Sequence, residues 1–323
     1  MPRKQVGQLG FEDGLVAKRR GRQRDDLEAI LVLIDWQAIE DTLAPVVSHA
    51  RKGEPSWPPL ILFKALLLQR WHDLSDEALE ANLFDRLSFQ RFCGLSLGDD
   101  VPDHSTIWRF REKLAKHGLI EPLFAELQRQ LEGRGVLVKQ GTLIDATLIK
   151  AAARRPKMEE GKISPNDPDA RFGANNQRRR YEFGYKGHIA VDEGSMLVRA
   201  QRLTSANIQE IDVAASLVAG DEGQVLADRG YDGARLRDHL AKRGIRNGVM
   251  QRSQKGRPLV PEEIERNHAL APRRRKVEAV FGTLKRIYRM SRMRYFNQRR
   301  CALAFGLALF AWNLRRLDRI TAS

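Results

Sequence analysis

A chain of 323 residues with 56 Lys and Arg against 41 Asp and Glu carries a formal charge of +15. That length allows two domains of ordinary size, and the positive excess suits a polyanionic partner, because each phosphate neutralised releases counterions. Two cysteines, Cys93 and Cys301, stand far apart without metal-type spacing, which excludes a disulfide scaffold or a zinc knuckle and fits a reducing, cytoplasmic setting. The opening MPRKQVGQLGFEDG lacks an apolar signal-peptide core, and the longest apolar run, Ala302 to Leu314, is too short to span a bilayer. No membrane is expected.

In chain order, residues 1–25 read as a basic flexible arm and residues 26–133 as helical. A helix opens after Pro58-Pro59 and runs through the apolar stretch Leu60 to Trp71; a second extends from Asp76 to about Phe92. A third spans Asp103 to Lys116, capped by Asp103 or Ser105, with Ile107, Phe110 and Leu114 as its apolar stripe. The pattern then changes. Gly141 to Lys150 reads as a strand, residues 151–182 as a long basic loop, and Phe183 to Val191 and Met196 to Leu203 as two further strands. A helix over 208–219 leads to a short buried strand, Gly223 to Ala227, ending at Asp228. A helix from Gly233 to Arg243 and a strand near Gly248 to Met250 follow. After a polar stretch to Pro272, a long helix reaches about Met290, and a final one covers 299–318. Short turns make the first three strands antiparallel, and the later ones need helical crossovers. The expected fold is α/β, a mixed sheet flanked by helices, in a domain spanning 134–323 behind the helical domain.

Three acids stand out. Asp145 interrupts the apolar strand LIDATLI, where an unsatisfied polar group costs about 1–3 kcal/mol or more unless it is paired or metal-bound. Asp228 closes VLAD at the carboxyl end of a strand, where sheet proteins place ligand groups. Each has an ordinary alternative: Asp145 pairs with an Arg, or Asp228 caps a turn. Glu278 lies in RRRKVEAVFGTLKRIYRMSR. At 100° per residue it shares a helical face with Arg274, Gly282, Lys285, Arg289 and Arg292, and Gly282 leaves room for another backbone. Val277, Val280, Leu284 and Ile287 face the core. A lone acid in a column of bases suits a helix lying along phosphates and offering a carboxylate to a metal. The alternative is a surface pair of Glu278 with Arg274 or Lys285. Three acids brought together repel one another, and magnesium or manganese resolves this with hard oxygen coordination. Two such ions, roughly 3.5–4 Å apart, flank a phosphorus undergoing displacement. No Walker loop implies a nucleotide, and the seven His show no zinc-type spacing.

At these residues the chain resembles the insertion-sequence-five family of bacterial transposases, part of the group with an Asp–Asp–Glu triad on a ribonuclease-H-like fold. The likeness covers WHDLSDEALEANLFDRLSFQRFCGL, VPDHSTIWRFREKL, GTLIDATLIKA, FGYKGHIAVD and LADRGYDGA. The family's C-terminal signature is Tyr, two residues, Arg, three residues, Glu, six residues, Lys; Arg274, Glu278 and Lys285 match it, with Ala271 in place of the Tyr. The resemblance implies Asp145, Asp228 and Glu278 as catalytic and metal-holding residues, with Asp145 touching both of two magnesium or manganese ions. Arg274 and Lys285 would grip phosphates. Asp232, after the turn, and Glu262, Glu263 and Glu265, in a polar stretch, rank below them.

The implied reaction is hydrolysis at transposon ends followed by attack of the freed 3′ hydroxyl on target DNA, the active complex being a homodimer that pairs two terminal inverted repeats. End recognition is expected in residues 26–133, where Ser105, Thr106, Arg109 and Lys113 lie off the apolar stripe of their helix, either to read a groove or as a charged outer face. Further DNA contacts are expected at Arg178, Arg179 and Arg180, at Arg289 and Arg292, and at Lys186 and His188, whose shared strand face meets DNA or solvent. Rivals are a nuclease or resolvase on the same fold without strand transfer, a non-catalytic DNA-binding descendant, and an RNA-processing enzyme.

Overall fold

The computed structural model describes residues 3–10, 13, 26–47, 55–156, 163–175, 180–253 and 256–322. The chain divides into two units, residues 1–133 with 310–323, and residues 134–309. The sequence assigns everything beyond 134 to one domain. The terminal helix instead gives its end to the helical unit, where Phe310 meets Phe63 edge-on at 5.3 Å and the Ala311 carbonyl accepts the Trp71 indole N–H at 3.0 Å.

The helical unit contains α1 (Asp26–Leu31), α2 (Trp36–Thr42), α3 (Pro59–His72), α4 (Asp76–Asp85), α5 (Leu87–Cys93), α6 (His104–Lys116) and α7 (Ile120–Gly133). α3 is buried on nearly every side, as an all-round apolar helix must be. The single helix expected over 76–92 breaks at Arg86, which takes an extended backbone and lays its guanidinium over the Phe89 ring. Asp103 caps α6 by accepting the Thr106 N–H at 2.7 Å, and Ile107, Phe110 and Leu114 are buried. Residues 3–10, expected within a loose arm, are tied to the unit: Gly7 N–H donates to Asp99 at 2.7 Å and Lys4 N–H to the Ser56 carbonyl at 3.0 Å. The rest of that arm lies almost wholly outside the described residues.

The second unit is built on a six-stranded sheet. β1 (Thr142–Lys150) pairs antiparallel with β3 (Arg180–Asp192), whose far edge takes β2 (Arg171–Asn175) and then β4 (Val198–Ser205). On the other side β5 (Gln224–Ala227) and β6 (Arg246–Val249) run parallel to β1. The loop expected over 151–182 therefore contains a strand, β2, and the opening of β3. Parallel neighbours need crossovers, and the sequence supplies short ones: α8 (Glu210–Ala214) before β5, and α9 (Ala234–Ala241) before β6. They pack on the sheet through Ile144, Val213, Val225, Tyr231, Leu236, Leu240 and Val249. Four strands joined by antiparallel pairings, followed by two parallel ones, with flanking helices, make this a ribonuclease-H-like α/β fold.

Three helices end the chain: α10 (Pro261–Arg275), α11 (Glu278–Arg286) and α12 (Gln298–Thr321). Gly187 of β3 has no Cβ because one would fall 2.6 Å from the Phe305 ring of α12. The expected long helix from 272 to 290 is corrected. Pro261 starts α10 in the first turn, where a missing N–H costs nothing, Pro272 lies inside it, and the helix stops at Lys276–Val277 before α11 restarts at Glu278. α11 ends at Arg286, so Ile287 is exposed and Arg289 takes a left-handed φ of 54°. No helix among the described residues is long and apolar enough to cross a membrane.

Candidate active site

Strand register creates the core of the site. The parallel ladder matches Ile144 of β1 with Ala227 of β5. The next residues, Asp145 inside β1 and Asp228 just past the end of β5, therefore stand side by side, at the spacing of about 4.8 Å that strands keep. Asp228 also does what its ordinary alternative required: its carboxylate accepts the Gly230 N–H at 2.8 Å and caps a short turn over Arg229–Tyr231. One role does not displace the other, because a carboxylate has further lone pairs.

Asp145 is 9% exposed. Its Oδ1 accepts the Ala146 N–H at 2.9 Å and its Oδ2 stands 3.3 Å from Arg274 Nη2. The same Nη2 is 3.4 Å from Glu278 Oε1, so one guanidinium nitrogen bridges the strand acid and the helix acid. The pairing is too sparse to offset burial, which pushes the Asp145 carboxyl up to about 7, with Asp228 and Glu210 adding to the push. Glu278 begins α11 and its side chain is 59% exposed.

A fourth acid, Glu210, was not singled out from the sequence. It opens α8, is held by Lys186 Nζ at 3.4 Å, and has its carboxyl raised by burial. Its surroundings, SANIQEIDV, carry no pattern that separates it from an ordinary first-turn acid. Beside it, the Tyr231 ring is fully buried and its hydroxyl has no hydrogen-bond partner among the described residues. That hydroxyl lies in the field of Glu210, Asp145, Asp228 and Arg274.

Other expected contacts are redistributed. His188 is fully buried and 2.9 Å from Thr204 Oγ1, so it cannot meet DNA; β3 is covered on both faces. Lys186 is occupied by Glu210 and donates to the Ile208 carbonyl at 3.0 Å. The basic column is broken with its helix. Arg274 belongs to α10, Glu278, Gly282 and Lys285 to α11, and Arg289 and Arg292 to neither. Arg292 donates to the Ala151 and Ala152 carbonyls at 3.0 and 3.1 Å. A Cβ on Gly282 would meet only the Arg286 side chain, at 3.6 Å, so no second backbone approaches it. Arg178 and Arg179 lie outside the described residues, as does the side chain of Arg180 at the start of β3. In the helical unit, Ser105 and Thr106 turn their hydroxyls to Asp103, while Arg109 and Lys113 are exposed. Asp232 pairs with Arg237 at 2.6 Å, and Glu263 accepts the Val260 N–H at the start of α10. Ala271 lies within α10.

Among the described residues, no three metal-ligating side chains stand close enough together to hold one ion in this arrangement. The donor chemistry nevertheless fits a hard divalent cation. One strand carboxylate and one helix carboxylate share the Arg274 guanidinium, Asp228 follows the neighbouring strand, and the buried Tyr231 hydroxyl nearby lacks a partner among the described residues.

Two family profiles match the chain. One described as "Transposase DDE domain" covers residues 137–314, more than half of the chain, and one described as "Transposase domain (DUF772)" covers residues 16–113. Among solved structures, the chain is similar to a piggyBac transposase synaptic complex with hairpin DNA, at 11% identity and a TM-score of 0.45, over 93% of this chain and 76% of that one.

Proposed function

The chain belongs to the transposase DDE-domain family, and on that premise we propose that it cuts the ends of an insertion sequence and joins the freed 3′ hydroxyl to target DNA. The motif spacing around Asp145, Asp228 and Arg274–Glu278–Lys285 favours the insertion-sequence-five branch. The observation that carries the reading is the site's framework. Asp145 and Asp228 follow matched positions on adjacent parallel strands, and Arg274 links Asp145 to Glu278.

In this proposal Asp145, Asp228 and Glu278 hold a pair of magnesium or manganese ions. When bound, these would activate the attacking oxygen and stabilise the leaving one. The remaining work falls to the chain. Ala146 N–H fixes one oxygen of Asp145, so the other faces Arg274. Arg274 holds the acids against their mutual repulsion. Burial of Asp145 excludes water from its side of the reaction and strengthens every charge–charge interaction there. Lys285, together with Arg274, contacts phosphate near the scissile bond. Arg109 and Lys113, on the outer face of α6, contact the terminal repeats. A homodimer pairs two ends, and the protein works in the cytoplasm.

The test is Asp145→Asn, assayed with magnesium on a DNA fragment carrying the element's end. Cleavage should fall at least about a thousandfold, as for other catalytic groups that act as a unit, while binding to the same DNA is kept. Cleavage at the wild-type rate would overturn the site. Plasmid-to-plasmid joining by the wild-type protein separates a transposase from a nuclease on the same fold.

A further inference from the structure

We propose that Glu210 is a fourth carboxylate of the phosphoryl-transfer site, holding divalent metal together with Asp228 across the backbone of Gly230. The proposal rests on the reading of Asp145 and Asp228 as metal-holding residues, and adds a residue that the triad does not contain.

The geometry comes from Gly230. A Cβ at that residue would fall 2.9 Å from Asp228 Oδ1 and 2.9 Å from Glu210 Oε2. The two carboxylates thus close on one small region, and only a residue without a side chain lets them do so. Gly230 has no left-handed φ to explain its identity, so close approach is what requires it. Two facing carboxylates repel one another unless a cation lies between or beside them. Among the described residues, Glu210 is ion-paired with Lys186 at 3.4 Å and also feels Arg274, while Asp228 accepts the Gly230 backbone N–H at 2.8 Å.

The second observation is independent of the acids. Tyr231 follows Gly230, is fully buried, and has a hydroxyl with no hydrogen-bond partner among the described residues. Glu210, Asp145 and Asp228 all lie near enough to act on it. Leaving a buried hydroxyl without a bond is unfavourable, because it has given up its bonds to water. One placed among three carboxylates is satisfied by a metal-bound water or by a phosphate oxygen. Tyr231 therefore marks the side of the site that Glu210 and Asp228 share.

The test is manganese binding to the full-length protein, without DNA, followed by calorimetry and by the loss of the free-ion paramagnetic resonance signal. Melting in EDTA first establishes that each variant is folded. Glu210→Gln should weaken manganese binding at least about tenfold. Gly230→Ala keeps every carboxylate but puts a methyl between two of them, and should weaken binding similarly. Lys186→Met frees Glu210 from its ion pair and should strengthen binding. If Glu210→Gln and Gly230→Ala bind manganese as the wild type does while Asp228→Asn binds it weakly, Glu210 is only the partner of Lys186 and the proposal fails alone. If Asp145→Asn and Asp228→Asn also bind as the wild type does, the metal reading of the whole site fails with it.

Discussion

Each unit holds a largely buried Arg–Asp pair, and the two are built differently. In the helical unit, Arg111 reaches Asp76 with both terminal nitrogens, Nη1 at 3.0 Å and Nη2 closer still, and Gln69 bonds both partners. These contacts outweigh burial and hold the Asp76 carboxyl below its ordinary value. In the sheet unit, Arg274 offers Asp145 one nitrogen at 3.3 Å and shares it with Glu278. Burial wins there and the Asp145 carboxyl rises. The first pair is bidentate and holds helices together. The second is under-bonded, so its acid keeps affinity for something else. Presence of an ion pair does not separate structure from function; the number of bonds the acid receives does.

The largest effect that bears on this contrast is expected at the bidentate pair. Asp76→Asn strips the charge facing buried Arg111 and should cost about 3 kcal/mol of stability, the lower part of the range for breaking a buried pair, because Asp76 is 22% exposed. Urea unfolding measures it; a loss under about 1 kcal/mol would mean that the helical pair is as dispensable as a surface one. Next in size is a pH effect at His188. Burial, with help from Lys186 and Arg202, lowers this imidazole from 6.5 to about 3. The unfolded chain therefore takes up a proton first, and the His188 contribution, whole above about 6.5, is lost as pH falls towards 3. The slope per group is up to about 1.4 kcal/mol per pH unit. His188→Gln should flatten the stability–pH curve between 6 and 4; an unchanged curve would show that His188 is charged in the fold. The smallest change is expected at the under-bonded pair. In EDTA at pH 8, Asp145→Asn should alter stability by no more than about 1 kcal/mol, towards stabilisation, since it removes a buried charge that had few partners. A loss as large as that of Asp76→Asn would erase the distinction between the pairs.

Much of the frame was legible in the sequence. β1 and β5 were visible as apolar runs interrupted or closed by an acid, and α6 as a capped, striped helix. The carboxylates that meet were less legible. Asp145 and Asp228 become neighbours through a parallel register formed between distant segments, which no local pattern encodes. Glu210 meets them because α8 returns beneath that register and Gly230 clears the way. The helix bearing Glu278 was misread for a local reason. Apolar periodicity continues through Lys276 and Val277 and cannot report a break, so Arg289 and Arg292 were projected onto a face that does not exist. His188 failed differently. Alternation along a strand separates its two faces, but does not reveal that the second is covered too.

The tie at the end of β1 has a mechanical consequence. Lys150 N–H donates to the Ser291 carbonyl at 3.1 Å, and Met293 N–H returns to the Lys150 carbonyl at 2.7 Å. The chain leaving α11 is thus stapled to the strand that carries Asp145. At its other end, α11 meets α10 at the Lys276–Val277 break, beside Arg274. The segment bearing Glu278 is anchored at both ends like a bar between two pins. Val277, Val280, Phe281 and Leu284 are buried along it, so the bar is seated as well as pinned. The helix acid and the strand acid thus belong to one braced frame, set in place before any polyanion arrives.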